Sequence, residues 1–232
     1  MILPVIIYYI LFHYKPMYGA IIAFKDFSPF LGFEKSPWVG FKHFKDFFNG
    51  YYFWRILRNT VVISLNSLLF GFPAPIVFAL LLNELRNQKF KRVVQTVTYM
   101  PHFISLVVIC GMIKEFTMST GVIPDLLSRF GFQKTNLLDK PRFFVPIYVI
   151  SGIWQEVGWE SIIYLAALAS IDPELYEAAA IDGAGRWKQL WNVTLPGIIP
   201  TVMILLVLRI GRLLSVGYEK IILLYNPAIY ET

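Results

Sequence analysis

Four ionisable residues fall inside stretches that are otherwise apolar: Glu156 and Glu160, four apart, and Arg209 and Arg212, three apart. Both spacings put a pair on one face of a helix. A charge at the centre of an apolar span costs at least ~2.5 kcal/mol, so such groups turn toward one another or toward an aqueous path. At ~1.5 Å per residue, Glu160 and Glu156 lie roughly 14 and 20 Å from the end of theirs at residue 169, and Arg209 and Arg212 roughly 18 and 22 Å from residue 197. These depths predict carboxylate–guanidinium pairing across two helices, serving either structure alone or the wall of a solute path. Trp154, Gln155 and Trp159 stand beside the carboxylates, where aromatic and polar groups together suit a sugar ring. Trp is equally at home at a membrane interface.

The other distinctive segment is Glu177-Ala178-Ala179-Ala180-Ile181-Asp182-Gly183-Ala184-Gly185, followed by Leu195-Pro196. Asp172, Pro173 and Glu174 predict a helix start, with a capping carboxylate, a preset φ and acidic charge at the positive end of the dipole. The helix runs to about Asp182 and ends at Gly183, where a left-handed residue is needed. Asp182 would cap or pair locally. A second helix over 186–193 takes its apolar side from Trp187, Leu190, Trp191 and Val193, and Pro196 breaks it before the next apolar run. The result is a compact knob outside a bilayer. Its Ala side chains permit close approach by a partner, and Glu177 offers one charge.

Composition explains why these features need a membrane to position them. Of 232 residues 56% are hydrophobic, 17% aromatic and 16% charged, against about 25% charged in soluble domains. Apolar runs long enough to cross a bilayer, roughly 20 residues each, occur at 2–24, 56–82, 93–113, 143–169 and 197–216. All are expected to be helices, the only form in which an isolated span satisfies its own backbone. Pro73 and Pro75 should kink the second and Pro101 the third. The connections are 25–55, whose Trp38, Trp54 and neighbouring rings suit an interface, then 83–92, 114–142 and the knob at 172–196. Positive charge does not decide the orientation, since 25–55 and 114–142 carry as many Lys and Arg as the denser 83–92. The net charge of +6 reads as loops near anionic headgroups rather than a nucleic-acid surface. Cys110 is single, which excludes an internal disulfide, and the first run lacks the basic leader and cleavage site of a signal peptide.

Enzymatic signatures are absent. The sequence has no G-x-x-x-x-G-K-[ST], no third glycine after Gly183-Ala184-Gly185 to complete a dinucleotide loop, and no H-E-x-x-H. His13, His43 and His102 share no metal-ligand spacing.

The knob, with Gly183 six residues after Glu177 and Leu195-Pro196 beyond, resembles the EAA signature of permease subunits of ATP-binding-cassette importers. Tyr14-Lys15-Pro16-Met17-Tyr18-Gly19, Ala23-Phe24-Lys25-Asp26-Phe27, Gly71-Phe72-Pro73-Ala74-Pro75, Tyr99-Met100-Pro101-His102-Phe103-Ile104-Ser105 and Tyr218-Glu219-Lys220 resemble the carbohydrate branch, similar to LplB-type polysaccharide permeases. The resemblance implies an all-α, polytopic membrane helix bundle of the type I importer permease fold, a single transmembrane domain over 1–232 in a bacterial plasma membrane, with 172–196 as its cytoplasmic coupling loop. It also implies six spans where five are seen. The chain stops at Glu231-Thr232, where a sixth should still follow, and the expectation is a truncated product. Glu177, Ala178, Ala179, Asp182, Gly183, Leu195 and Pro196 would form the ATPase contact. Trp154, Gln155, Glu156, Trp159, Glu160, Arg209 and Arg212 would line the substrate path. The implied partners are a second permease subunit, two ATPase subunits, an extracytoplasmic solute-binding lipoprotein and membrane lipid, with no nucleic acid. No cofactor is expected on this chain, ATP and Mg belonging to the ATPase. The implied solute is an oligosaccharide or modified sugar. A same-superfamily permease for a non-sugar solute and a non-transporting membrane scaffold are the competing readings.

Overall fold

The computed structural model describes residues 2–226, whose regular secondary structure is helical, with one isolated β-bridge, Lys25 to Trp38, and no strand among them. Glu231-Thr232, after which a sixth span was expected, lie outside the described residues. Among the described residues, four helical stretches are long and apolar enough to cross a membrane: Leu3–Phe24, Phe53–Asn83, Leu106–Ser128 and Arg186–Gly211. The 29-residue helix Pro141–Ala169 has the length, but its polar middle from Trp154 to Glu160 lowers its mean hydropathy. It is the expected fourth span, and it places the charges.

The chain divides into two compact units, Met1–Leu57 and Arg58–Thr232. In the first, the helical run Leu3–Phe24 leads into a loop organised by Lys25. This ammonium is 7% exposed, donates to the Phe33 carbonyl at 2.5 Å and lies 4.9 Å from the Trp38 ring centroid. Trp38 and Trp54 remain exposed, as interfacial anchors require.

In the second unit Pro141–Ala169 packs against Pro73–Asn83, Gln88–Tyr99 and Leu195–Gly211. Its two ends enter separate cores. Phe144 joins Ile63, Ile109, Ile113, Leu138 and Leu224, while Tyr164 and Leu168 join Ala79 and Ile198. Gly158 fixes the contact with Gln88–Tyr99, since a Cβ there would stand 2.2 Å from the Thr98 carbonyl oxygen.

The prolines produce two departures from the expected spans. Three π-helical turns, Ile10–Tyr14, Ser67–Gly71 and Leu190–Thr194, each precede a proline in the first turn of the next α-segment, Pro16, Pro73 and Pro196. The widened turn makes room for the ring and reroutes bonds, as when the Leu195 amide reaches the Leu190 carbonyl. Pro196 therefore does not break the helix, and the chain stays helical from Arg186 to Gly211. The expected third span fails in the opposite way. Instead of one helix kinked over 93–113, Gln88–Tyr99 gives way to a 3-10 turn, Met100–Phe103, and Ile104 and Ser105 are extended. The Ser105 hydroxyl accepts from the Val108 amide and caps a new helix, Leu106–Thr117. The basic loop before it is also shorter than expected, because Asn87 accepts from the Lys89 and Phe90 amides and starts the helix at Gln88.

Candidate functional site

Between the two cores, residues 148–164 of the long helix face a cavity of about 820 Å³, within the range of about 300–1,000 Å³ usual for small-molecule sites. Gln155, Glu156, Trp159, Glu160, Arg209 and Arg212 line it. Trp154 does not, and is exposed elsewhere. Helix Leu195–Gly211 presents Arg209 across the cavity, where Nη1 donates to Glu160 Oε1 at 2.9 Å. Gly71 adjoins this pair, and a Cβ on it would stand in ordinary van der Waals contact with the guanidinium at 3.5 Å.

The pairing expected for the other two charges is not formed. The helix ends at Gly211, leaving Arg212 at its C-terminal cap with no ion pair among the described residues. Glu156 turns instead to His102, whose Nδ1 stands 2.8 Å from Oε2. A carboxylate there accepts from Nδ1–H. The His102 ring also stacks on Trp159, with centroids 4.4 Å apart and planes 4° off parallel. This arrangement depends on the break at Pro101, which turns His102 and Phe103 out of helical register onto the long helix. Sequence reasoning passed over His102 for want of metal-ligand spacing. The signal it carried was simpler: an ionisable ring inside an apolar run needs a partner.

Lys220 was also missed. It sits in the short helix Tyr218–Leu224, is 7% exposed, and lines the cavity. Its ammonium donates to the Tyr148 carbonyl at 3.0 Å and lies 4.7 Å from the Tyr148 ring centroid. A Cβ on Gly152 would stand in ordinary van der Waals contact with Nζ at 3.5 Å. The buried Ser64 hydroxyl, also on the wall, has no hydrogen-bond partner among the described residues.

The knob forms much as its local chemistry predicts. Asp172 accepts from the Glu174 amide at 2.9 Å and starts helix Pro173–Ile181. Gly183 at φ +75° ends it, with the Ala184 amide bonded to the Ala179 carbonyl and the Gly183 amide to that of Ala180. This pair of hydrogen bonds is the Schellman arrangement, and Asp182 occupies its C-cap. Glu177 and Ala178 are exposed and Ala179 is half-buried. The expected apolar side of the second arm is divided: Trp187 and Trp191 are exposed while Leu190 and Val193 are half-buried. Leu195 is half-buried and Pro196 exposed, both in the unbroken helix. The two arms are tied by Tyr176, whose hydroxyl lies 3.0 Å from that of the buried Thr194. Arg186 reaches Glu84 at 3.6 Å, but both are well exposed and the pair contributes little.

The cavity and the knob both lie largely within residues 71–216, which match the family model described as binding-protein-dependent transport system inner membrane component. Among similar proteins, Protein LplB of Bacillus subtilis (strain 168) is 47% identical over 227 residues, covering 97% of this chain and 71% of that protein. The polygalacturonan/rhamnogalacturonan transport system permease protein YteP of the same organism is 48% identical over 232 residues, covering all of this chain and 72% of YteP. A solved chain of a bacterial ABC transporter involved in the import of the acidic polysaccharide alginate superposes with a TM-score of 0.91 at 48% identity, covering all of this chain and 78% of that one.

Proposed function

This chain belongs to the family of binding-protein-dependent transport system inner membrane components, and we propose that it is the transmembrane permease subunit of an ATP-driven importer of oligosaccharides or modified sugars. It is a membrane transport component and not an enzyme. The observation that carries the finer reading is the pairing of an exposed, doubly capped helical knob with a charged and aromatic cavity, both built on the helix Leu195–Gly211 and its continuation toward Arg186.

In this reading the knob at 172–196 faces the cytoplasm and seats in an ATPase subunit. Glu177 meets a cation there, Ala178 and Ala179 set the approach distance, and Asp182 and Gly183 shape the turn. Because Leu190–Thr194 joins the knob to Leu195–Gly211 without a break, a push on the knob moves Arg209 as part of the same helical run. Closure of two ATPases would thereby shift the cavity between inward and outward access. ATP and Mg would be held by the ATPase pair. A second permease subunit and an extracytoplasmic solute-binding lipoprotein complete the assembly. The sugar assignment draws on the aromatic and polar lining of the cavity and on the named transport systems of similar proteins.

Co-purification tests the coupling. Expressed with its second permease and the cognate ATPase, wild type should retain the ATPase in detergent. Glu177→Ala should weaken retention, and Gly183→Pro, whose ring cannot adopt positive φ, should abolish it, while both variants keep the second permease. Full ATPase retention by both variants would overturn the assignment of the knob.

A further inference from the structure

His102 touches two side chains that line the cavity and does not line it itself. Its Nδ1–H donates to Glu156 Oε2 at 2.8 Å, and its ring stacks on Trp159. Phe103, next in the same 3-10 turn, meets Trp159 edge-on, with centroids 5.4 Å apart and planes at 82°. Trp159 is thus held against one face and along one edge, yet it is still 41% exposed. Satisfying the histidine alone would take one acceptor for Nδ1–H, and the stack goes beyond that. The χ2 torsion of a tryptophan is broad, so the plane of this ring is set by what packs on it. Glu156 is held in the same way: Oε2 is bonded to His102, and Oε1 has no hydrogen-bond partner among the described residues. The turn follows directly on the close approach of Thr98 to Gly158, which lies between the two residues that His102 holds.

We infer that His102 is a positioning residue of the solute path, fixing Trp159 as a stacking platform and Glu156 as a hydrogen-bond acceptor beside it. The inference rests on the sugar-permease reading and names the groups that meet the solute within it. Residues three apart share a helix face with about 5–6 Å between their Cβ atoms, so one pyranose ring can engage both. The uncovered part of the Trp159 ring takes the apolar C–H side of the sugar, and Glu156 Oε1 accepts from one of its hydroxyls. His102 acts through both side chains without touching the solute. Contacts of this kind select a ligand only when neighbouring packing and hydrogen bonds lock them, and here one imidazole supplies both locks.

The test uses the assembled importer in detergent, without its binding protein, labelled with fluorinated tryptophan and titrated with maltotriose and with a galacturonate trisaccharide. The fluorine resonance missing from Trp159→Phe belongs to Trp159. In wild type it should be single and should move saturably with at least one probe. His102→Ala should split or broaden it and lower the affinity for that probe about tenfold. His102→Phe keeps a ring on Trp159 and should restore the single resonance with part of the affinity. His102→Asn keeps a donor toward Glu156 and should restore part of the affinity while the resonance stays split. Unchanged affinity in His102→Ala, or Phe and Asn variants no better than the Ala variant, overturns the positioning role. Where His102→Ala fails to assemble, the two space-filling variants carry the test, and a Trp159 resonance equally sharp in both overturns it. A Trp159 resonance unmoved by either probe, with binding seen by calorimetry, overturns the platform and leaves the sugar-permease reading standing. Failure of an intact complex to bind either probe overturns both.

Discussion

Glu160 and Arg209 meet at 2.9 Å across two helices, while Glu156, one turn earlier on the same helix, bonds to His102 instead. The two carboxylates thus bind the long helix to different neighbours, one to Leu195–Gly211 and the other to the turn at Pro101. Glu160→Gln and Arg209→Gln should each lower the apparent thermal midpoint in detergent. The coupling in the double-mutant cycle should be about 1–2 kcal/mol, below the range for full burial because the side chains are 33 and 39% exposed. The charge-swapped Glu160→Arg/Arg209→Glu protein should recover part of what either reversal loses. A coupling indistinguishable from zero would reduce the pair to proximity.

The stack of His102 on Trp159 gives a spectroscopic handle. His102→Ala should raise and shift tryptophan emission and cost about 0.5–1.5 kcal/mol for the lost ring contact, with a further cost for the orphaned Glu156. The emission change should vanish in a Trp159→Phe background. Persistence of the change there would place its origin at another tryptophan.

Gly158 meets Gln88–Tyr99 so closely that a Cβ on it would stand 2.2 Å from the Thr98 carbonyl oxygen. Gly158→Ala should drive Gln88–Tyr99 from the long helix and cost about 1–3 kcal/mol as overpacking, read as a lowered midpoint. Gly111→Ala is the control, since nothing lies within 4 Å of a Cβ there. Equal midpoints for the two variants would show that the interface yields freely.

What was legible in the sequence was local or depended on depth alone. Asp172 and Gly183 act on amides within a few residues, so their caps follow from residue type. The carboxylates and guanidinia lie at overlapping depths in their helices, so pairing across them follows from counting, but not the choice of Glu160 for Arg209, whose depth is nearer that of Glu156. The partner of Glu156 depends on where a different chain segment turns, and Pro101 gave no hint whether its helix would kink or stop. The signal lay four residues on, in Ser105, a helix-starting residue inside an apolar run. Pro196 misled for a related reason: a proline forbids the regular i−4 bond, but a π turn upstream satisfies the backbone without ending the helix. Lys220 was invisible as a cavity residue because its helix follows the last expected span, and burial by Leu106–Thr117 and the long helix is a tertiary fact.

The hydroxyls of Tyr176 and Thr194 lie 3.0 Å apart and tie the two arms of the knob together. Tyr176 lies on the first arm, one residue before Glu177, and Thr194 ends the π turn that continues into Leu195–Gly211. Their hydroxyls form a direct side-chain link between the arm that would meet the ATPase and the helix that carries Arg209. Tyr176→Phe keeps the ring and removes one hydrogen bond, a cost of about 0.5–1.5 kcal/mol, too little to unfold the knob. Gly183→Ala costs about 1–2 kcal/mol by forcing a Cβ into the left-handed region. The two should act differently. Gly183→Ala should weaken ATPase retention by distorting the turn, whereas Tyr176→Phe should retain the ATPase but lower transport per ATP hydrolysed in reconstituted vesicles. A Tyr176→Phe importer with an unchanged ratio of solute moved to ATP consumed would show that the continuous helix alone carries the coupling.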